Sequence, residues 1–155
     1  MLENNHEKKP KKYAGILAHP TSFPSPYGIG DLGKGAYRFI DFLANSGLNL
    51  WQVLPLGHTG FGDSPYQPFS AFAGQPLIID LDALKEYKLL SEDDFTDMPE
   101  WDPIHIDYGT LITFKTKLLK LAYERFTDPD YEDGLSTDEE QMAAFASFKK
   151  DSSWL

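Results

Sequence analysis

A G-x-G-x-x-G at Gly28, Gly30 and Gly33, inside PYGIGDLGKG, has the spacing with which a glycine loop brings a backbone against a dinucleotide pyrophosphate at a helix N-terminus. A second stretch carries different groups. HTGFGDSPYQPFSAFAGQP, residues 58–76, combines four aromatic residues and three prolines with Asp63, Ser64, Tyr66 and Gln67. Tyrosine offers a flat face and a phenol, serine a short donor and acceptor, glutamine an amide that does both. Asp63 is the one acid of this loop and so tempting as a carboxylate for acid/base work, but it reads rather as tying down the turn through neighbouring N–H groups. Gln67 can bond a ligand or only the loop, and a proline-stiffened turn with a core tyrosine is the bland alternative for the whole stretch. His19 and His58 flank the same region and read as structural hydrogen bonders rather than acids or bases.

The elements that position these groups follow from periodicity. YAGILAH, residues 13–19, is a short apolar run before Pro20, Pro24 and Pro26 and predicts a buried strand. From Lys34 to Ser46 the apolar residues Ala36, Phe39, Ile40 and Leu43 fall at helical spacing, with Gly47 as the stop. LNLWQVLPLG, residues 48–57, predicts a second strand that carries Trp51 into the core. Strand, helix, strand implies a parallel pair with a right-handed crossover, and parallel strands buried on both faces read as continuous apolar runs. The 58–76 loop leaves the second strand, and loops this long inside a compact unit are usually functional. PLIIDLDAL then reads as a third strand or as an extended segment entering a short helix. Residues 107–126 predict a long helix through Leu111, Phe114, Leu118, Leu121 and Ala122, and Ser136 or Thr137 would cap a last helix ending at Lys150.

That arrangement fails the dinucleotide test. Nine residues separate Ala18 from Gly28, where a Rossmann strand would end at the first glycine, and Val53, Leu54 and Pro55 stand where the ribose-binding acid should be. Lys34 is followed by Gly35, so the loop has no P-loop ending either. The glycines then serve to turn the chain back, with Asp31 expected to cap the following helix.

Charge narrows the partners. The 155 residues carry a formal charge of -10, which opposes nucleic acid and anionic membrane surfaces, so a neutral ligand fits better. The acids are uneven: 18 of the 24 lie between Asp80 and Glu140. Residues 1–12 read as a flexible polar tail without the apolar region of a secretory signal, and no stretch reaches the length of a membrane span. With no cysteine, the chain can build neither disulfides nor thiolate metal sites, which fits a cytoplasmic location.

HPTSFPSPYGIGDLG (19–33), AYRFIDFLANSG (36–47), WQVLPLGHTGFGDSPYQPFSAFAGQPLIIDL (51–81) and DYG (107–109) closely resemble the N-terminal part of amylomaltases, the 4-alpha-glucanotransferases also called disproportionating enzymes. The resemblance is dense from Tyr13 to about Leu81 and thinner beyond. It implies an α/β fold, the start of a (β/α)8 TIM barrel of the α-amylase clan. A complete barrel takes about 250 residues, so the barrel would be incomplete here: residues 13–79 as its first β/α units and 80–155 as an acidic, mostly helical insert. It implies a retaining transfer of α-1,4-glucan segments between maltooligosaccharides, needing no cofactor and no metal, with the catalytic carboxylates downstream of residue 155 and none in this chain.

By the same resemblance, Ser64 and Tyr66 match positions lining the donor sugar subsite, and Asp63 and Gln67 stand beside them. Tyr108 matches one of two tyrosines that form a second glucan groove in some members; Phe61 replaces the other and keeps a stacking face without a hydroxyl. Gly33-Lys34-Gly35 replaces a common Pro-Glu at the helix start, which should weaken its first turn. A non-catalytic glucan-binding or partner-binding remnant of the family is the alternative.

Overall fold

A computed structural model describes residues 12–131 and 139–152, with the backbone alone at Phe61. The expected caps Ser136 and Thr137 and all but the last residue of the 1–12 tail lie outside the described residues.

β1 (Gly15–Leu17) and β2 (Leu50–Gln52) pair in parallel, with Ile16 opposite Trp51, and α1 (Lys34–Asn45) connects them. Gly15 allows this pairing: a Cβ there would lie 2.2 Å from the Leu50 carbonyl oxygen. α1 stops where the sequence signals it. Gly47 takes φ +69°, its N–H donates to Ala44 O, and Leu48 N–H reaches back to Leu43 O, the hydrogen-bond pair of a Schellman cap. Gly33 is the N-cap and has no side chain with which to bond the first-turn N–H groups.

Two expectations are corrected. Both strands are three residues long and open to solvent rather than buried, with Leu17 57% and Leu50 50% exposed. Among the described residues the sheet has no further strand to cover its edges, and α1 and Phe23 pack on it through Trp51. Trp51 is accordingly half-buried, its indole N–H donating to Ala18 O at 2.7 Å and its ring edge-on to Phe39. Asp31, in turn, is not the helix cap. It lies two residues before Gly33, accepting that residue's N–H at 3.0 Å, because α1 begins only at Lys34 with Gly33 as its N-cap.

The main core lies around the long helix. Residues 76–80 run as a 3-10 turn into α2 (Leu81–Glu86), capped by the Asp80 carboxylate on Asp82 N–H, so PLIIDLDAL takes the helical of its two readings. α3 (Tyr108–Thr127), capped by Asp107, buries Leu111, Phe114, Leu118 and Ala122. Against them pack Leu81, Leu89, Leu90 and Phe95, together with Tyr27 from the proline-rich loop. Ile29 joins Leu77 and Leu111 in a second cluster. α4 (Glu139–Asp151) meets α3 through Phe145 on Phe126.

Arg125 ties the end of α3 to the 91–95 turn. It forks onto both oxygens of Asp94 at 2.6 and 3.0 Å and also bonds Leu89 O, which holds the Asp94 carboxyl below its ordinary range. Arg125→Met is therefore expected to cost about 2 kcal/mol in urea unfolding at neutral pH. Because the folded-state value is the lower one, that contribution is present above about pH 4 and shrinks as acid protonates Asp94. A gap between wild type and variant that is unchanged at pH 3 would contradict the assignment.

Candidate functional site

The 58–76 loop is built on local bonds and closed at its base. Gly57 and Gly74 form an antiparallel bridge, and Gln75 N–H donates to Leu56 O at 2.7 Å. Within the loop a 3-10 turn spans Phe61–Asp63, and Gly62 and Asp63 both take positive φ, +71° and +54°. The side-chain acceptor that ties this turn is Ser64, whose Oγ takes Tyr66 N–H at 3.3 Å. Asp63 contributes its left-handed backbone, a conformation that aspartate tolerates better than most residues.

The candidate residues divide between two surfaces. Tyr66, 68% exposed, and Gln67 face solvent on the outside of the loop. Asp63 and Tyr108 line a cavity of about 230 Å³ beneath it, together with His19, Thr59 and Gln75. Burial pushes the Tyr108 phenol up, and the Asp63 charge adds to the shift. The Phe61 side chain lies outside what is described, so its relation to Tyr108 is not part of this geometry.

His19 acts as a structural hydrogen bonder: its Nδ1 lies 2.8 Å from the Thr21 hydroxyl and caps the 20–22 turn, while its buried Nε2 has no hydrogen-bond partner among the described residues. His58 packs against Phe69. Gln75 and Thr59 were not legible as site residues. Gln75 Nε2 donates to Thr59 Oγ1 at 3.3 Å and Gln75 Oε1 accepts Leu77 N–H at 3.4 Å, so one buried amide joins the loop to the segment behind it. Its place just before Pro76 was the available signal.

The glycines of the loop serve close approaches of the chain. Gly28 takes φ +78° under the Trp101 ring, Gly30 lies against the backbone of residues 20–23, and Gly33 lies against Asp31 and Asp80, whose carboxylates repel an anion at the start of α1. Among the described residues no three His, Asp or Glu side chains gather to hold a metal, and no helix is long and apolar enough to cross a membrane.

The family profile described as 4-alpha-glucanotransferase matches residues 18–155. The 4-alpha-glucanotransferase of Synechocystis sp. is 48% identical over 116 residues, 75% of this chain and 23% of its own length. That of Thermus thermophilus is 44% identical over 140 residues, 90% of this chain and 26% of its own length. Among solved structures, the amylomaltase from Streptococcus agalactiae in complex with acarbose superposes with a TM-score of 0.80 at 36% identity, covering 93% of this chain and 28% of that one. The chain thus spans about a quarter of the length of the relatives it matches.

Proposed function

The chain belongs to the 4-alpha-glucanotransferase family, and on that premise we propose that it is the N-terminal piece of an enzyme that moves α-1,4-glucan segments between maltooligosaccharides. The observation that carries the reading is the parallel β1/β2 pair with the aromatic loop leaving β2, in a chain that superposes on an amylomaltase over nearly its whole length. β1, α1 and β2 are then the first units of a (β/α)8 barrel, and residues 80–155 a helical insertion. Barrel active sites form at the C-terminal ends of the strands, which is where the 58–76 loop begins.

In this reading Tyr66 supplies a face for a sugar ring, and Ser64, Gln67 and Asp63 supply hydrogen bonds to its hydroxyls. Tyr108, with Phe61, offers a second contact. The chemistry would be retaining. One carboxylate attacks the anomeric carbon while a carboxylic acid protonates the departing glycosidic oxygen; an acceptor hydroxyl then displaces the enzyme and returns its proton to the acid/base group. Those carboxylates are assigned to sequence outside these 155 residues, so this piece binds and shapes rather than reacts.

Two measurements test the proposal. Incubated with maltotriose, the 155-residue chain should release no glucose and form no longer oligosaccharide, whereas the full-length enzyme should do both; transfer by the chain alone would overturn the placement of the carboxylates. In calorimetric titration with maltoheptaose, Tyr66→Ala should weaken binding about fivefold to tenfold through loss of the stacking face. Equal affinity in the two proteins would remove Tyr66 from the subsite. Binding without transfer in the full-length enzyme would favour the non-catalytic remnant.

A further inference from the structure

Lys115 lies on the buried face of α3, one helical turn from both Leu111 and Leu118, and is 0% exposed. A charged residue there calls for a reason, because lysine is almost never fully buried unless its ammonium is satisfied. Its Nζ donates to Leu77 O at 2.7 Å and to Ile79 O at 3.0 Å. Both acceptors belong to the 75–79 strap that joins the loop to α2. The strap's other backbone groups are also engaged: Ile78 O accepts Leu32 N–H, Ile78 N–H bonds Gln75 O, and Ile79 N–H bonds Pro76 O.

From the strap the bonds continue into the loop. Leu77 N–H donates to Gln75 Oε1, Gln75 Nε2 to Thr59 Oγ1, and Gln75 N–H to Leu56 O. We infer that Lys115 is a positioning residue: from α3 it fixes the 75–79 strap and, through Gln75, sets the base of the 58–74 loop that the proposed function assigns to glucan. The inference rests on that reading for the word glucan and on hydrogen-bond geometry for the rest. An apolar residue of the same length would fill the space but leave the buried Leu77 carbonyl and the part-buried Ile79 carbonyl without this donor.

The location also favours coupling. The two carboxylates whose fields reach Lys115 are Asp31 and Asp80. Asp31 holds Gly33 N–H at the entry to α1, and Asp80 caps α2. One ammonium therefore sits where the loop strap, α1, α2 and α3 converge.

The chain contains no cysteine, so Lys115→Cys can be aminoethylated selectively, in the unfolded state, to place an ammonium back at the same position. Amide exchange then reads the relay without reference to any ligand. In Lys115→Cys the Gln75, Leu77 and Ile79 amides should exchange about tenfold faster, while Leu118 and Ala122 in α3 change by less than about twofold, and aminoethylation should restore the strap. Equal acceleration in α3, an unchanged strap, or no recovery after aminoethylation would each overturn the inference.

Thr59→Val, which keeps volume and loses the acceptor, covers the case in which Lys115→Cys does not fold. It should speed exchange at Gln75 with Ile79 unchanged, and no effect at Gln75 would break the relay. Maltoheptaose affinity should fall in Lys115→Cys and recover with the ammonium; affinity unmoved in a loosened strap would overturn the link to binding. A wild-type chain with no affinity for maltoheptaose would overturn the glucan reading alone, and exchange would still decide the strap.

Discussion

Gly30→Ala is expected to destabilise the chain by about 3 kcal/mol or more, an effect at the upper end for a single methyl group. A Cβ at Gly30 would lie 2.1 Å from Pro20 O, 2.6 Å from Phe23 O and 2.7 Å from Phe23 N. All three are backbone atoms of the proline-rich turn, so no side-chain rotation relieves the overlap. The turn cannot withdraw easily either: Gly30 N–H donates to Thr21 O at 3.1 Å, and the neighbouring Ile29 is buried against Leu77 and Leu111. Displacing residues 20–23 would thus disturb the packing on α3. Gly47→Ala is the matched comparison, since Gly47 has φ +69° and nothing within 4 Å of its absent Cβ. Its cost should be only the left-handed backbone, about 1 kcal/mol. Urea unfolding of the two variants separates close approach from conformational strain. If Gly30→Ala proves no worse than Gly47→Ala, the glycine loop is not the packing joint described here.

The comparison also marks what the sequence could convey. α1 and α3 were legible because each has an apolar stripe at helical spacing and a clear boundary residue, Gly47 for one and Asp107 for the other. The strands were legible as apolar runs, but their burial was not: that depends on how many strands lie alongside, and among the described residues β1 and β2 have only each other. Asp31 was misplaced as a cap because a pattern of residue types does not tell where the chain turns helical, and here it does so three residues later. The work of the glycines, bringing the proline-rich loop against its own turn and against Trp101 and Asp80, is a long-range contact that local spacing cannot encode. In the candidate site, aromatic and hydroxyl residues marked the loop itself. Gln75 and Lys115 were hidden for a physical reason: both meet main-chain groups, and which carbonyl lies opposite a side chain is fixed only by the fold. For Lys115, a lysine between Leu111 and Leu118 on an otherwise apolar stripe was the available hint.

Raising the pH from 7 to about 10.5 is expected to stabilise the wild-type chain relative to Lys115→Met by about 3 kcal/mol. Burial lowers the Lys115 ammonium from 10.5 to about 8, with Asp31 and Asp80 opposing the shift through their charges. The sign follows from proton counting. Between pH 8 and 10.5 the unfolded chain binds the Lys115 proton and the folded chain has released it, so stability rises with pH across that window. Below pH 8 both states are protonated, and the folded state carries the full cost of burying the charge. A neutral amine retains N–H donors for Leu77 O and Ile79 O, so the strap stays held after the proton leaves. Methionine has no proton to lose and no donor to offer. It therefore removes the pH dependence and leaves both carbonyls unpaired: at pH 7 relief of the buried charge offsets the lost bonds, and near pH 10.5 that relief has largely vanished and the lost bonds dominate. Other groups also titrate in this range, the raised phenols of Tyr27 and Tyr108 among them, and subtracting the variant cancels their contribution. Urea unfolding in half-unit steps should show the wild-type advantage small at pH 7 and growing steadily above pH 8. A difference that is flat with pH would mean that the Lys115 ammonium is not desolvated. One that shrinks would mean that Asp31 and Asp80 stabilise its charge more than burial opposes it, which would make Lys115 one member of a buried ion cluster rather than a lone donor to the strap.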